Sequence, residues 1–549
     1  MKAYRRILVA GLLLTAVLMT AIACAKDEVP SGGDTETESI PESSTEPATE
    51  IRTEQETNME TETETEVETE AETEAETEAE TEAETGTEME TEMKMETEMV
   101  TETEMETTVM ETETSATDEL AELVIAEPGE KRSAYRVVYA TGADVTLQEN
   151  AALLSRAIKA AVGTDLRVAA GDRPVKNKAI VIGSKERAET AELAAALQEG
   201  EYAIRVDAVE EGVGRVLIAY TTPRSQYLAV EYFVDHFVSS DGVRVPTDLD
   251  VRGAAGEHTL VTSQIIGLRD PCILAEDGVY YAYGTGWLCY KNTSGDLGGA
   301  WELIGTVASV ADAADDGGSH WAPEVHKYGD AYYMFTTYLS KSTGHRGCAI
   351  FCADSPEGPF VQITDGHITP QDWDAIDGTF YVDPEGQPWM VFVHEWTCRP
   401  NGIGSFAAAR LSDDLTTFVS EPIELFNADE ALWANRGVTD GCWMYTTAEG
   451  ELLMIWSNFA ADGYSVGIAR SSNRRLDGEW TQEVKRLYCQ SMGEAYNGGH
   501  GMIFTGFDGQ MYLSFHSPNS PEGDRETRPC FLAIREENGT LVWDETAAK

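Results

Sequence analysis

Five segments in the second half of the chain each place a polar or ionisable side chain at the head of an apolar strand. Asp270 precedes Cys272-Ile273-Leu274, which turns at Asp277-Gly278 into Tyr280-Tyr281-Ala282-Tyr283. Glu324 sits in Trp321-Ala322-Pro323-Glu324-Val325, Asp377 in Ile376-Asp377-Gly378-Thr379, Asp440 in Thr439-Asp440-Gly441-Cys442 and His500 in Gly499-His500-Gly501. Each is followed by a Gly-containing turn and an aromatic-rich return strand. Buried carboxylates cost several kcal/mol each unless paired or metal-bound, so core strands do not call for them. Brought together, one carboxylate could activate water and another could protonate a leaving oxygen, which is the chemistry of glycoside cleavage.

Other chemistries lack their signatures. The chain has no His-Glu-x-x-His zinc pattern, no Gly-x-Ser-x-Gly elbow, no phosphate loop and no dinucleotide fingerprint. Trp321, Trp373, Trp396 and Trp433 lie near the acidic positions in sequence and, with Glu324, are the candidates for contacting a sugar, since aromatic faces suit pyranose and furanose rings. A second reading is a glycan-binding protein without catalysis, for which the aromatic residues alone would suffice.

The elements that must position these residues follow from the repeat. The five heads are about 54, 53, 63 and 60 residues apart, enough for a four-stranded unit each, and five such units predict a mainly β, five-bladed β-propeller over residues 264–543. In that architecture the first strand of every blade lines the axis, so equivalent positions converge. Residues 133–252 alternate strand and helix patterns: Tyr135 to Tyr139, Lys178 to Gly183 and Arg215 to Tyr220 read as strands, Asn150 to Val162, Arg187 to Gln198 and Ser225 to Val238 as helices. This predicts a small α/β sandwich acting as spacer or scaffold.

Upstream, the chain is of another kind. Of its 549 residues 97 are Asp or Glu and 39 Lys or Arg, a formal charge of −58. Residues 25–120 hold about 35 acids against 3 bases, mostly as Thr-Glu repeats. Such a segment cannot offset the entropy of ordering, and 25–130 is predicted to be a disordered, acidic stalk. Residues 1–24 combine Lys2, Arg5 and Arg6 with an apolar run ending in Ala21-Ile22-Ala23-Cys24, an export signal resembling the bacterial lipobox, with Cys24 as the lipidation site. The expectation is an extracellular, lipid-anchored surface protein whose only membrane contact is that anchor. No clustered basic face is visible, so nucleic acid is not an expected partner.

Over about Ile265 to Asn519 the motifs resemble glycoside hydrolase family 43, five-bladed propellers acting mainly on arabinose- and xylose-containing plant polysaccharides. Asp270 in Arg-Asp-Pro resembles the family's catalytic base, Glu324 its Trp-Ala-Pro-Glu signature and Asp377 its pKa modulator. Gly499-His500-Gly501 resembles the strand whose His approaches an axial calcium, which makes His500 the candidate near a structural calcium. The α/β segment resembles accessory domains at the N-terminus of some hexosaminidases and α-glucuronidases. One departure concerns the general acid, usually Glu in Glu-Gly-Pro: here the place reads Asp440-Gly441-Cys442, a side chain one methylene shorter, and Glu395 in His394-Glu395-Trp396 is the alternative acid.

The resemblance implies inversion, with Asp270 as base and Asp440 as acid. A long loop from Tyr290 to Ser319 would close one end of the cleft, which favours exo-acting α-L-arabinofuranosidase over β-xylosidase or endo-arabinanase. The eight cysteines after Cys24 are scattered and show no zinc spacing, and are read as free thiols.

Overall fold

The computed structural model describes residues 121–519 and 526–546, within one compact unit, Glu111–Lys549. The export segment, Cys24 and nearly all of the acidic tract lie outside the described residues. Part of the stretch assigned to the stalk is ordered: Glu122–Ala126 is a strand paired antiparallel with Gly242–Pro246. Leu123 and Ile125, both buried, give this strand the apolar face that the Thr-Glu repeats lack.

Residues 132–254 form a six-stranded mixed sheet. Its buried centre is Ala179–Gly183, and Asp165–Ala170 and Asp250–Ala254 are its edges. Two long helices pack on one face, Val145–Val162 and Pro223–Phe237. The first starts at Asp144, whose carboxylate accepts from Leu147 N, and stops at left-handed Gly163; the second has Thr222 as cap, Pro223 in its first turn and a reciprocal bond with Ser225. The helix expected over Arg187 to Gln198 shrinks to Ala191–Ala195. Arg187 and Glu189 turn inward as a buried ion pair, and Thr190 Oγ1 bonds Ser184 O, which uses the preceding residues as a turn.

Five sheets follow in chain order, antiparallel but for the pairing of Ala308–Ser309 with Phe360–Gln362 at the edge of the second, with first strands Cys272–Glu276, Trp321–Tyr328, Ala375–Val382, Asp440–Thr446 and Gly499–Thr505. These first strands contact one another in cyclic order, the fifth returning to the first. Leu260–Thr262 and Thr540–Trp543 both pair with Arg528–Glu537, so segments from the two ends of this region complete the fifth sheet. The stretch 290–319, expected as a loop, holds part of the strand Leu288–Asn292, the outer strand Glu302–Thr306 and Ala308–Ser309. Its alternating Leu303 and Gly305 pair with Tyr290 and Cys289, a ladder that the Gly-rich sequence before it obscured.

One backbone feature recurs at each sheet's entrance. Asp270, Ala322, Asp377, Gly441 and His500 all have φ between 44° and 57°, and the last four lie in register shifts between the first and second strands. A left-handed residue in a bulge re-aims its side chain, here toward the ring's axis, at a cost of about 1–2 kcal/mol for each non-glycine. This corrects the expected equivalence: Glu324 lies two residues after the left-handed position of its strand and Asp440 one residue before.

The α/β sheet unit is joined to the fourth and fifth sheets by buried polar contacts. Arg486 Nη1 lies 2.6 Å from Asp462 Oδ1, and its Nη2 lies 3.0 Å from Glu149 Oε1 of the first helix. Asn150 donates to Ser491 O at 3.1 Å, and Arg224 pairs with Glu545 while lying 4.2 Å from the Trp543 ring centre. The eight cysteines are free thiols.

Candidate active site

Asp270, Asp377, Asp440 and His500 meet where the first strands begin. His500 Nδ1 is 3.3 Å from Asp270 Oδ1 and 3.8 Å from Asp377 Oδ2. Its backbone N donates to Ser457 Oγ at 2.8 Å, which fixes the strand that carries it. Asp377 Oδ2 accepts from Gly441 N at 2.9 Å, and Tyr464 OH donates to Asp440 Oδ2 at 3.0 Å. Gly441 is held to glycine by space: a Cβ would come 2.8 Å from the His500 ring.

The shared field separates the carboxyls. Burial pushes the Asp270 carboxyl up, but His500, His516 and Arg269 outweigh it and hold the group well below the usual range. Thr285 Oγ1 donates to Asp270 Oδ2, another bond that favours the ionised form. Asp440 moves the other way, pushed up to about 7 by burial and by the neighbouring Asp377 charge, with the Tyr464 bond and His500 opposing. Burial raises Asp377 as well. For His500, burial is outweighed by Asp270, Asp377 and Asp440, which raise it and favour an imidazolium between the carboxylates. His516 is lowered to about 4 by burial and Arg269. A neutral ring lets its Nδ1 accept from Asp270 N at 3.3 Å.

The other sequence candidates divide. Glu395 is buried, and one of its oxygens takes both Arg346 Nε at 2.9 Å and Nη2 at 2.6 Å. Burial raises the Glu395 carboxyl above the usual range, with the Arg346 pairing opposing, and that pairing occupies the carboxylate. Trp321 is half-buried beneath the Arg346 guanidinium, 5.3 Å from its ring centre. Trp373 is half-buried and stacks on His394 at 3.6 Å, and Trp396 is half-buried beside Glu395. These three stay accessible at the entrances of the second and third sheets. Glu324 does not: it is 3 % exposed and bonded by His326 Nε2 at 3.0 Å, so it belongs to the packing beneath the site. Trp433 is likewise core, 2 % exposed against Trp456 and over Gly467, where any Cβ would strike its ring. Thr285, Tyr464 and His516 carried no motif in sequence; only the folded pairing of second and third strands with the first brings them in.

His500 Nε2 and His516 Nε2 are buried without a protein partner. Calcium takes about 6–8 oxygen ligands, whereas here the unpartnered atoms are imidazole nitrogens, and no cluster of three His, Cys, Asp or Glu in metal geometry occurs among the described residues. The protein groups at the axis do not fit a directly ligated calcium.

Two carboxyls whose pKa values are pushed apart, held beside a third, are the groups that a glycoside hydrolase needs. Residues 265–537 match the model for Glycosyl hydrolases family 43. An endo-arabinase from Bacteroides thetaiotaomicron is 34% identical, with 52% of this chain and 99% of that one covered and a TM-score of 0.45. A probable arabinan endo-1,5-alpha-L-arabinosidase A from Aspergillus flavus is 27% identical over 170 residues, 29% of this chain and 49% of the relative. An extracellular exo-alpha-(1->5)-L-arabinofuranosidase from Cellvibrio japonicus is 26% identical over 165 residues, 28% of this chain and 45% of the relative. The chain spans about half the length of these curated relatives. It belongs to glycosyl hydrolase family 43.

Proposed function

We propose that this protein hydrolyses α-1,5-linked L-arabinan with inversion, Asp270 acting as base, Asp377 as modulator and Asp440 as acid. The observation that carries this reading is the opposed ionisation of Asp270 and Asp440 around one imidazole. The Asp270 carboxylate, kept ionised by His500 and Thr285, draws a proton from the attacking water. Asp377 holds Gly441 N and, through its charge, keeps the adjacent Asp440 protonated near neutrality until it donates to the leaving oxygen. Glu395, engaged by Arg346, serves better as a wall of the sugar site than as the acid.

Arabinan is favoured because the named activities of the relatives just described are all arabinan-directed. Endo cleavage comes ahead of the exo mode, because about a third of the segment meant to close the cleft is taken up by sheet strands. Exo-arabinofuranosidase is the second reading, supported by the Cellvibrio relative. The five sheets are read as five propeller blades, supported by the cyclic contacts of their first strands, and residues 122–254 as an accessory domain. Secretion and anchoring through Cys24 complete the reading on the strength of the N-terminal sequence. The test is NMR of arabinan digestion: β-configured reducing ends formed first from α-linkages, and loss of turnover by at least about 10³-fold in Asp270→Asn, are expected. Retained configuration or an active Asp270→Asn enzyme would overturn it.

A further inference from the structure

The described arginines are almost all tied down, and the exceptions sit together. The side chains of Arg132, Arg136, Arg167 and Arg173 have no ion pair, hydrogen bond or ring contact, whereas that of every other described arginine has at least one. All four lie at one margin of the α/β sheet. Arg136 and Arg167 are directly opposite each other on the neighbouring strands Arg132–Tyr139 and Asp165–Ala170, and the second of these is the sheet's edge. Arg132 lies earlier on the same strand, opposite Asp165, with a register shift between it and Arg136, and Arg173 follows the edge strand.

Arg136, Arg167 and Arg173 line a groove of about 620 Å³ floored by Val138, Ala169 and Pro174. Its one acidic side chain, Asp172, accepts from Thr141 N at 2.7 Å. The groove is thus locally cationic on a chain of formal charge −58. At physiological ionic strength charges beyond about 8 Å are largely screened, so the distant acidic surface does not cancel it.

We infer that this groove binds a carboxylate-bearing polysaccharide, one whose uronate groups recur along the chain. Guanidinium forks match carboxylates bidentately, and an apolar floor between them suits the C–H faces of sugar rings. Cations spread over two adjacent strands and the segment after them match a repeating anion better than a single small one. The choice of a polysaccharide rests on the glycoside hydrolase reading; the groove itself lies on a separate sheet, away from the carboxyl cluster, and would hold an acidic polymer while the catalytic sheets cut neutral side chains.

The test is affinity gel electrophoresis of the full chain in polygalacturonate, debranched arabinan or double-stranded DNA, with the Arg136→Gln/Arg167→Gln/Arg173→Gln variant alongside. Polygalacturonate is expected to retard the wild type, the variant to lose at least about ten-fold in affinity, and retardation to vanish near 1 M NaCl, where the screening length is about 3 Å. The exposed substitutions should leave arabinan hydrolysis unchanged, which checks folding and separates this inference from the catalytic one. Wild type unretarded by polygalacturonate, equal retardation of the variant, or equally strong retardation by DNA would each overturn the inference. An unretarded full chain whose groove becomes active only after removal of residues 25–120 would assign the arginines to the protein's own acidic tract instead.

Discussion

In the proposed mechanism Asp440 is the residue on which the chemistry turns, because it must keep a proton that an ordinary aspartate loses. With its pKa pushed up to about 7 by burial and Asp377, kcat/KM should fall above about pH 7, roughly ten-fold per pH unit. Tyr464 favours the ionised form, so Tyr464→Phe should move this alkaline limb to higher pH, as read from a pH–rate profile. An unmoved limb would detach the tyrosine from the acid. The same shift is a stability statement. The folded-state pKa exceeds the unfolded one, so the native state holds the extra proton between about pH 4 and 7, and stability falls as pH rises through that window. Asp440→Asn removes the titration and should stabilise the protein at pH 8 by about 2–4 kcal/mol while abolishing cleavage, measured by urea unfolding. The acidic positions were visible in sequence as residue types, but their ionisation was not, since it depends on burial and on Thr285, Tyr464 and His516, which lie on other strands.

Strands explain which residues reached the axis and which did not. Spacing and turn signals were enough to outline five repeated sheets, because aromatic return strands and Asp-Gly or Glu-Gly turns mark each one. The bulge was not legible. A left-handed residue at Asp270, Ala322, Asp377, Gly441 and His500 sets the register, and aligning the repeats by charge therefore misplaced Glu324 and Asp440 by two residues and one. Trp433 misled for a related reason: proximity in sequence says nothing about Gly467 on another strand, over which the ring lies. The join between the first helix and the fourth sheet makes a prediction at this scale. Arg486→Met leaves Asp462 buried without its cation, while Glu149 keeps Arg156, and should destabilise the protein by about 3–5 kcal/mol in denaturant titration. Burial opposes, but Arg486 outweighs it and holds Asp462 below the usual range, so this contribution is present above about pH 4 and is lost as pH falls further. A variant of unchanged stability would mean that the network is dispensable.

Across the whole molecule, a charged N-terminal tract, an α/β sheet unit and a ring of sheets divide the work that the sequence composition already separates. The ring supplies the carboxyl cluster, the α/β unit contributes Glu149 to the buried network under Asp462, and its far margin carries the unpaired arginines. Asp462 is followed by Gly463 and Tyr464, so the hairpin braced by the α/β unit is the one that presents the hydroxyl to Asp440. General acid catalysis by Asp440 is the claim to which these parts lead. The most direct measurement compares Asp440→Asn with the wild type on arabinan and on 2,4-dinitrophenyl α-L-arabinofuranoside, whose leaving group departs without protonation. Arabinan turnover should fall by about 10³-fold or more while the dinitrophenyl substrate stays within about ten-fold. Equal loss on both substrates, or no loss on arabinan, would contradict it.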